Sequence, residues 1–155
     1  MRAINSLLRL SAALVLLAML AACHTMSGPG LIRSEVTAEL TPESANAIAG
    51  DVVGRLAEQV GPGTTTIELR GSDTLFGPAL EAALREWGYA VVIDEAIEGT
   101  AVTPLAYSID PFEGGVLVRL STLQVELTRM YTLSATGATP ASPVSVMQRG
   151  SEVAP

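Results

Sequence analysis

A chain of 155 residues has the size of one domain, and with 48% hydrophobic residues it can build a core. One Cys and one His exclude a disulfide framework and a Cys/His metal cluster within a single chain. The net charge is −7, arginine is the sole cationic residue type besides the lone His, and only six side chains are aromatic, which argues against a nucleic-acid surface with its basic face and stacking platforms.

Residues 1–22 read as a signal peptide. Arg2 and Arg9 are the only charged residues there, and positions 10–22 form a weakly polar to apolar run of thirteen residues. A spanning helix needs about 20 residues, so the run fits an export signal better. Leu20-Ala21-Ala22-Cys23 resembles the bacterial lipoprotein lipobox: a branched apolar residue, two small residues that admit a peptidase, and a thiol to be alkylated by diacylglycerol. The resemblance makes Cys23 the lipidation site and the start of a mature chain of 133 residues, whose charge is −9 because Arg2 and Arg9 are removed. The competing readings are a chance Cys after an ordinary signal peptide, or a buried apolar thiol. Each buried acyl methylene contributes about 0.8 kcal/mol, and stable anchoring takes more than one chain. His24 rather than Asp follows the Cys. By the enterobacterial sorting rule this implies an outer-membrane lipoprotein facing the periplasm.

Residues 23–40 read as a lipidated tether, with Ser27-Gly28-Pro29-Gly30 and mixed polarity. The seventeen residues from His24 to Leu40 reach at most roughly 55–60 Å when extended. Leu31, Ile32 and Val36 are apolar enough to dock on a domain.

Residues 41–136 read as the globular domain. The spacing predicts a helix over Pro42–Val60, with Ala45, Ile48, Ala49, Val52, Val53, Leu56, Ala57 and Val60 on one face. Thr41 suits the N-cap, Pro42 the first helical position, and Gly61-Pro62-Gly63 the stop. Gly50 and Gly54 each cost such a helix about 1 kcal/mol relative to Ala. Close packing on a sheet, or a docking stripe for a partner, would offset that. Thr64–Arg70 reads as a strand, Leu75–Trp87 as a second amphipathic helix capped by Asp73 and ended by Gly88, and Tyr89–Ile93 as a strand buried on both faces. Strand, helix and strand with short links imply a right-handed parallel crossover.

Period-two alternation then takes over. Leu105, Tyr107 and Ile109 lead to a turn at Pro111–Gly115. Val116, Val118 and Leu120 follow, and then Leu123, Val125, Leu127, Tyr131 and Leu133. This is an antiparallel meander with one wet face. The expected fold is α+β: a mixed five-stranded sheet, a β-α-β crossover followed by the meander, with both helices on one face. Arg129 sits on the apolar parity. It could snorkel, lie at an edge, mark a bulge or anchor an interface. Residues 137–155, with Pro140, Pro143 and Pro155, read as an extended or disordered tail. Within it, Pro143-Val144-Ser145-Val146-Met147 could add to a partner's strand edge.

No motif places catalytic groups. The globular part has no His to serve a Ser nucleophile. Gly61-Pro62-Gly63-Thr64 lacks the Gly-Lys-Ser/Thr of a phosphate loop. Asp94, Glu95 and Glu98 could hold a divalent cation or form a solvated loop. The expectation is a protein that is not an enzyme and needs no cofactor, metal or small-molecule substrate.

Several stretches, in order, resemble the TrbH conjugal-transfer lipoproteins. They are Ala45-Asn46-Ala47-Ile48-Ala49-Gly50-Asp51, Val60-Gly61-Pro62-Gly63-Thr64, Phe76-Gly77-x-Ala79-Leu80-Glu81-x-Ala83-Leu84 and Trp87-Gly88-Tyr89-Ala90-Val91. Pro104-Leu105-Ala106-Tyr107, Asp110-Pro111-Phe112-Glu113-Gly114, Val125-Glu126-Leu127 and Thr139-Pro140-Ala141-Ser142-Pro143 complete the set. The resemblance runs from the lipobox to about Gly150. It implies a structural component of a Trb-type mating-pair-formation apparatus, a type IV secretion system that moves plasmid DNA. The partners would be the membrane, through Cys23, and other envelope subunits, with Gly50, Gly54 and Arg129 as candidate docking residues and no direct contact with nucleic acid. The rival is a periplasmic regulatory lipoprotein that binds and activates an envelope enzyme such as a peptidoglycan synthase, which the helix–strand layout also resembles.

Overall fold

The computed structural model describes residues 34–63, 65–71, 73–93 and 102–149. The elements run β1 (Glu35–Val36), α1 (Pro42–Gln59), β2 (Thr66–Leu69), α2 (Phe76–Glu86), β3 (Ala90–Ile93), β4 (Val102–Phe112), β5 (Gly115–Ser121), β6 (Val125–Ser134), β7 (Gly137–Pro140) and β8 (Ser145–Gln148). They form an α+β domain with two described helices on a mixed sheet.

Helix α1 starts where its end chemistry demands. The Ser44 amide donates to Thr41 Oγ1 at 3.2 Å, and the Thr41 amide donates to Ser44 Oγ at 2.9 Å, so two orphan amides are satisfied reciprocally. Its apolar stripe, Ala45, Ile48, Ala49, Val52, Val53 and Leu56, is buried throughout. In α2, Asp73 supplies the cap: its carboxylate accepts from the amides of Leu75 at 3.2 Å and Gly77 at 2.7 Å. Gly88, at φ 91°, ends that helix in a conformation that favours glycine.

The strand order is β3-β2-β4-β5-β6-β7, with β1 also on β4 and β8 also on β6. β2 pairs in parallel with both β3 and β4, and β4, β5 and β6 form the antiparallel meander. The two longest strands each share one edge between two short ones. β4 pairs with β2 over Val102–Leu105 and with β1 at Ser108 and Ile109. β6 pairs with β8 over Val125–Thr128 and with β7 over Tyr131–Ser134. Alternate strand positions (Ile67, Leu69, Leu105, Tyr107, Ile109, Val116, Val118, Leu120, Val125, Leu127 and Tyr131) meet the helices in one core. Phe76 packs edge-on against Tyr107 with ring centroids 5.0 Å apart. The opposite sheet face carries charged groups, with Arg119 and Arg149 both paired to Glu126.

Several expectations change. The five-stranded sheet becomes one of eight described strands, because β1 lies inside the stretch read as tether, while β7 and β8 lie inside the stretch read as tail. Strands of two to four residues are too short to display an alternation. The tether docks from Ser34 onward: Ser34 Oγ accepts the Tyr107 amide at 3.1 Å, and the amides of Thr37 and Ala38 both reach the carbonyl of Ile109, at 2.9 and 3.2 Å. The run Ala90–Ile93 is not buried on both faces. β4 returns beside β2, leaving β3 at the sheet margin with Ala90 and Ile93 exposed. Leu123 is not a strand residue but stands exposed in the turn before β6, where Thr122 Oγ1 accepts from the amides of Gln124 and Val125. The segment Pro143–Met147, read as a candidate for a partner's strand edge, instead pairs with β6 of its own chain through Ser145–Met147.

Candidate functional site

Arg129 lies on the helix-facing side of β6, opposite Val118 of β5. It does not sit at an edge or snorkel to water, because its charge has a partner below the sheet. Its Nη1 donates to Asp51 Oδ2 of α1 at 2.7 Å, and its Nε donates to the Ser142 carbonyl at 2.9 Å. The hydroxyl of Tyr131, two residues along the same face, donates to the same Asp51 oxygen at 2.5 Å. Side-chain exposures of 15% for Arg129 and 24% for Asp51 place the pair largely out of water. Ser142 also accepts the Met130 amide through Oγ at 3.0 Å, and Ala141 donates its amide to the Met130 carbonyl at 2.8 Å. The Asp51–Arg129 pair thus joins a helix, a strand and the break between β7 and β8. The sequence reading missed Asp51 and Ser142. The signal for Asp51 was a lone carboxylate beside the apolar stripe of α1 in a chain that also put a lone arginine on an apolar strand parity.

The cluster has a pH signature. Burial, followed by the hydrogen bond to Asp51 and its charge, raises the Tyr131 pKa well above its ordinary value of 10.0, against a smaller opposing effect from Arg129. A raised folded-state value means that the neutral hydroxyl stabilises the fold fully below the unfolded value, and that this contribution is lost as pH rises above it. Burial also raises Tyr89. Thermal unfolding between roughly pH 9 and pH 11 is therefore expected to show a falling midpoint, with a shallower fall in Tyr131→Phe. Equal slopes for the two proteins would remove Tyr131 from the alkaline transition.

The two glycines of α1 separate. Around Gly50 an added Cβ would meet nothing within 4 Å, whereas at Gly54 it would stand 3.2 Å from the Trp87 ring. Gly54 therefore marks close contact between α1 and the end of α2, not packing on the sheet, and Gly50 faces open space. Gly50→Ala is expected to stabilise the domain by about 0.5–1 kcal/mol, the helix-propensity difference. Gly54→Ala is expected to show no such gain, because the indole has to move. Chemical denaturation of both variants checks this, and equal gains would mean that the Trp87 contact imposes nothing.

Cys23 and the acidic trio Asp94, Glu95 and Glu98 lie outside the described residues. A crevice of about 270 Å³ opens beyond the ends of β2 and β3, lined by Leu69, Gly71, Asp73, Gly77, Pro78, Glu81 and Ile93. Its carboxylates are engaged: Asp73 caps α2, and Glu81 pairs with Arg85 at 2.7 Å. Among the described residues no group of three or more His, Cys, Asp or Glu is placed to hold a metal, and no helix is long and apolar enough to cross a membrane. What the described arrangement offers is an internally braced scaffold.

Comparison with known proteins agrees with the ordered motifs. The family described as conjugal transfer protein TrbH matches residues 26–150. A probable conjugal transfer protein TrbH of Sinorhizobium fredii (strain NBRC 101917 / NGR234) is 46% identical over 140 residues, covering 87% of this chain and 94% of the relative. No solved structure matches. The match gives no support to the synthase-activator reading.

Proposed function

The chain belongs to the TrbH family of conjugal transfer proteins, and from that premise we infer that it is a lipid-anchored structural component of the envelope apparatus that moves plasmid DNA between bacteria. Acyl chains on Cys23 hold it in the outer membrane, and the α+β domain stands in the periplasm and docks on another subunit of the transfer channel. The observation that carries the reading is the family match spanning almost all of the chain beyond the lipobox.

The fold sharpens the geometry of this proposal. Because Ser34 is already bonded to the domain, the chain between the proposed anchor and the domain runs only from Cys23 to Ser34. Eleven peptide steps cover at most about 40 Å, less than the reach of the full tether. The domain is therefore confined close to the membrane. Confinement raises the local concentration of any neighbouring subunit and lets a weak contact persist. The domain contributes shape and binding surface; the polar cluster at Asp51 acts in its packing.

Labelling donor cells with radioactive palmitate tests the anchor directly. The expected result is label on the chain, together with a mature N-terminal peptide carrying diacylglycerol on Cys23. An intact, unmodified Met1 terminus on purified protein would overturn the proposal.

A further inference from the structure

Most margins of this sheet are guarded. β1 has only two residues. At β3, Arg85 Nη2 donates to the Val91 carbonyl at 3.5 Å. β7 ends in Pro140, and its Gly137 lies against Ala47 of α1. Short strands, cationic side chains and proline are the usual devices against unwanted strand pairing. β8 carries neither charge nor proline: its four residues are Ser145, Val146, Met147 and Gln148. Among the described residues it pairs with β6 alone, so its second margin is open. Val146 and Met147 point to opposite faces and are 40% and 51% exposed. The adjacent Arg149 lies back toward β6 on the charged face, paired with Glu126, with Nη1 donating to the Thr122 carbonyl at 3.3 Å and its amide to the Gln124 carbonyl at 2.7 Å. It does not shield the strand.

The geometry points to β8 as a docking margin for an extended, uncharged segment of another protein subunit, apolar at two consecutive positions so that it meets Val146 on one face and Met147 on the other. This deepens the proposed function and rests on it. A second copy of the chain is the poorer occupant. Four residues give a margin roughly 13 Å long, too short for the ~1,200 Å² that a stable specific dimer buries. A strand held nearby in a common assembly needs less contact, because its effective concentration is high. Main-chain bonds then supply affinity, and alternate side chains supply selectivity.

The test uses the full-length chain in donor cells. Val146→Lys combined with Met147→Lys is expected to leave the unfolding midpoint within about 3 °C of wild type. The chain should stay in the membrane fraction while plasmid transfer falls by on the order of tenfold or more. Leu123→Lys, an equally exposed apolar site in the turn before β6, is expected to transfer as wild type. Met147→Cys labelled with a thiol-reactive benzophenone, which on illumination inserts into C–H bonds of any neighbouring chain, is expected to join the chain to another transfer component, with no adduct from the wild-type chain. Wild-type transfer by the double variant, an equal loss from Leu123→Lys, an adduct of two copies of this chain, or no adduct would each overturn the proposal. If the lysines lower the midpoint further, the Met147→Cys adduct decides, since it leaves the strand otherwise native. Unchanged transfer in Cys23→Ser would instead overturn the anchored-component reading, so the two failures are distinct.

Discussion

Replacing Cys23 with Ser is expected to remove the chain from the outer-membrane fraction, abolish palmitate incorporation and lower plasmid transfer by on the order of a hundredfold. Serine keeps the size of the side chain but offers no thiol for the diacylglyceryl thioether. The substitution lies twelve residues before β1, so nothing in the described domain depends on it. The expected loss therefore reflects position in the cell, not folding. Tethering typically raises effective affinity by about 10²–10⁴ without any new contact, and the variant gives that factor up. Uncleaved precursor held at the inner membrane is recognised by its N-terminus, which is why fractionation is read together with the terminal peptide. Outer-membrane density, label and transfer all at wild-type level would show that the sulfur has no part in the function.

The second large effect is inside the domain. Asp51→Ala is expected to destabilise it by about 2–4 kcal/mol, which for a domain of this size lowers the unfolding midpoint by roughly 10 °C. The reason is what the change leaves behind. The Arg129 guanidinium, 15% exposed, loses its anion, and the Tyr131 hydroxyl loses its acceptor. Stranding one member of a largely buried pair costs more than the pair contributes, so Asp51→Leu with Arg129→Met and Tyr131→Phe is expected to recover most of the loss. Thermal unfolding of the single and triple variants checks both statements. A shift under about 2 °C in the single variant would mean that water replaces the carboxylate without penalty.

Local chemistry made much of this fold legible in advance. The N-cap at Thr41, the stop after Val60, the turn at Glu113-Gly114 and the alternation from Leu105 to Leu120 depend on residues close in sequence, and each leaves a readable pattern. What stayed hidden was settled by chain-distant pairing. Nothing in Ala90-Val91-Val92-Ile93 tells whether β4 returns beside it or beside β2, yet that choice decides whether the run is interior or marginal. β1, β7 and β8 owe their conformation to the spare margins of β4 and β6, not to their own short sequences. Arg129 stood out as a break in a pattern, but its meaning required Asp51, on a helix 78 positions earlier.

That separation has a consequence for how the molecule is made. α1 is synthesised early, but the strand carrying its polar partners comes 78 and 80 residues later. Thr37, just after β1, waits similarly for Ile109, across 72 positions. Contacts this distant close long loops before they are rewarded, so folding is slow and occurs late in chain growth. A nascent chain ending at Ser121 would present the apolar stripe of α1 with no β6 to receive it. The protein is therefore most open to proteases and chaperones while it is being produced, before the last third of the chain has joined the first.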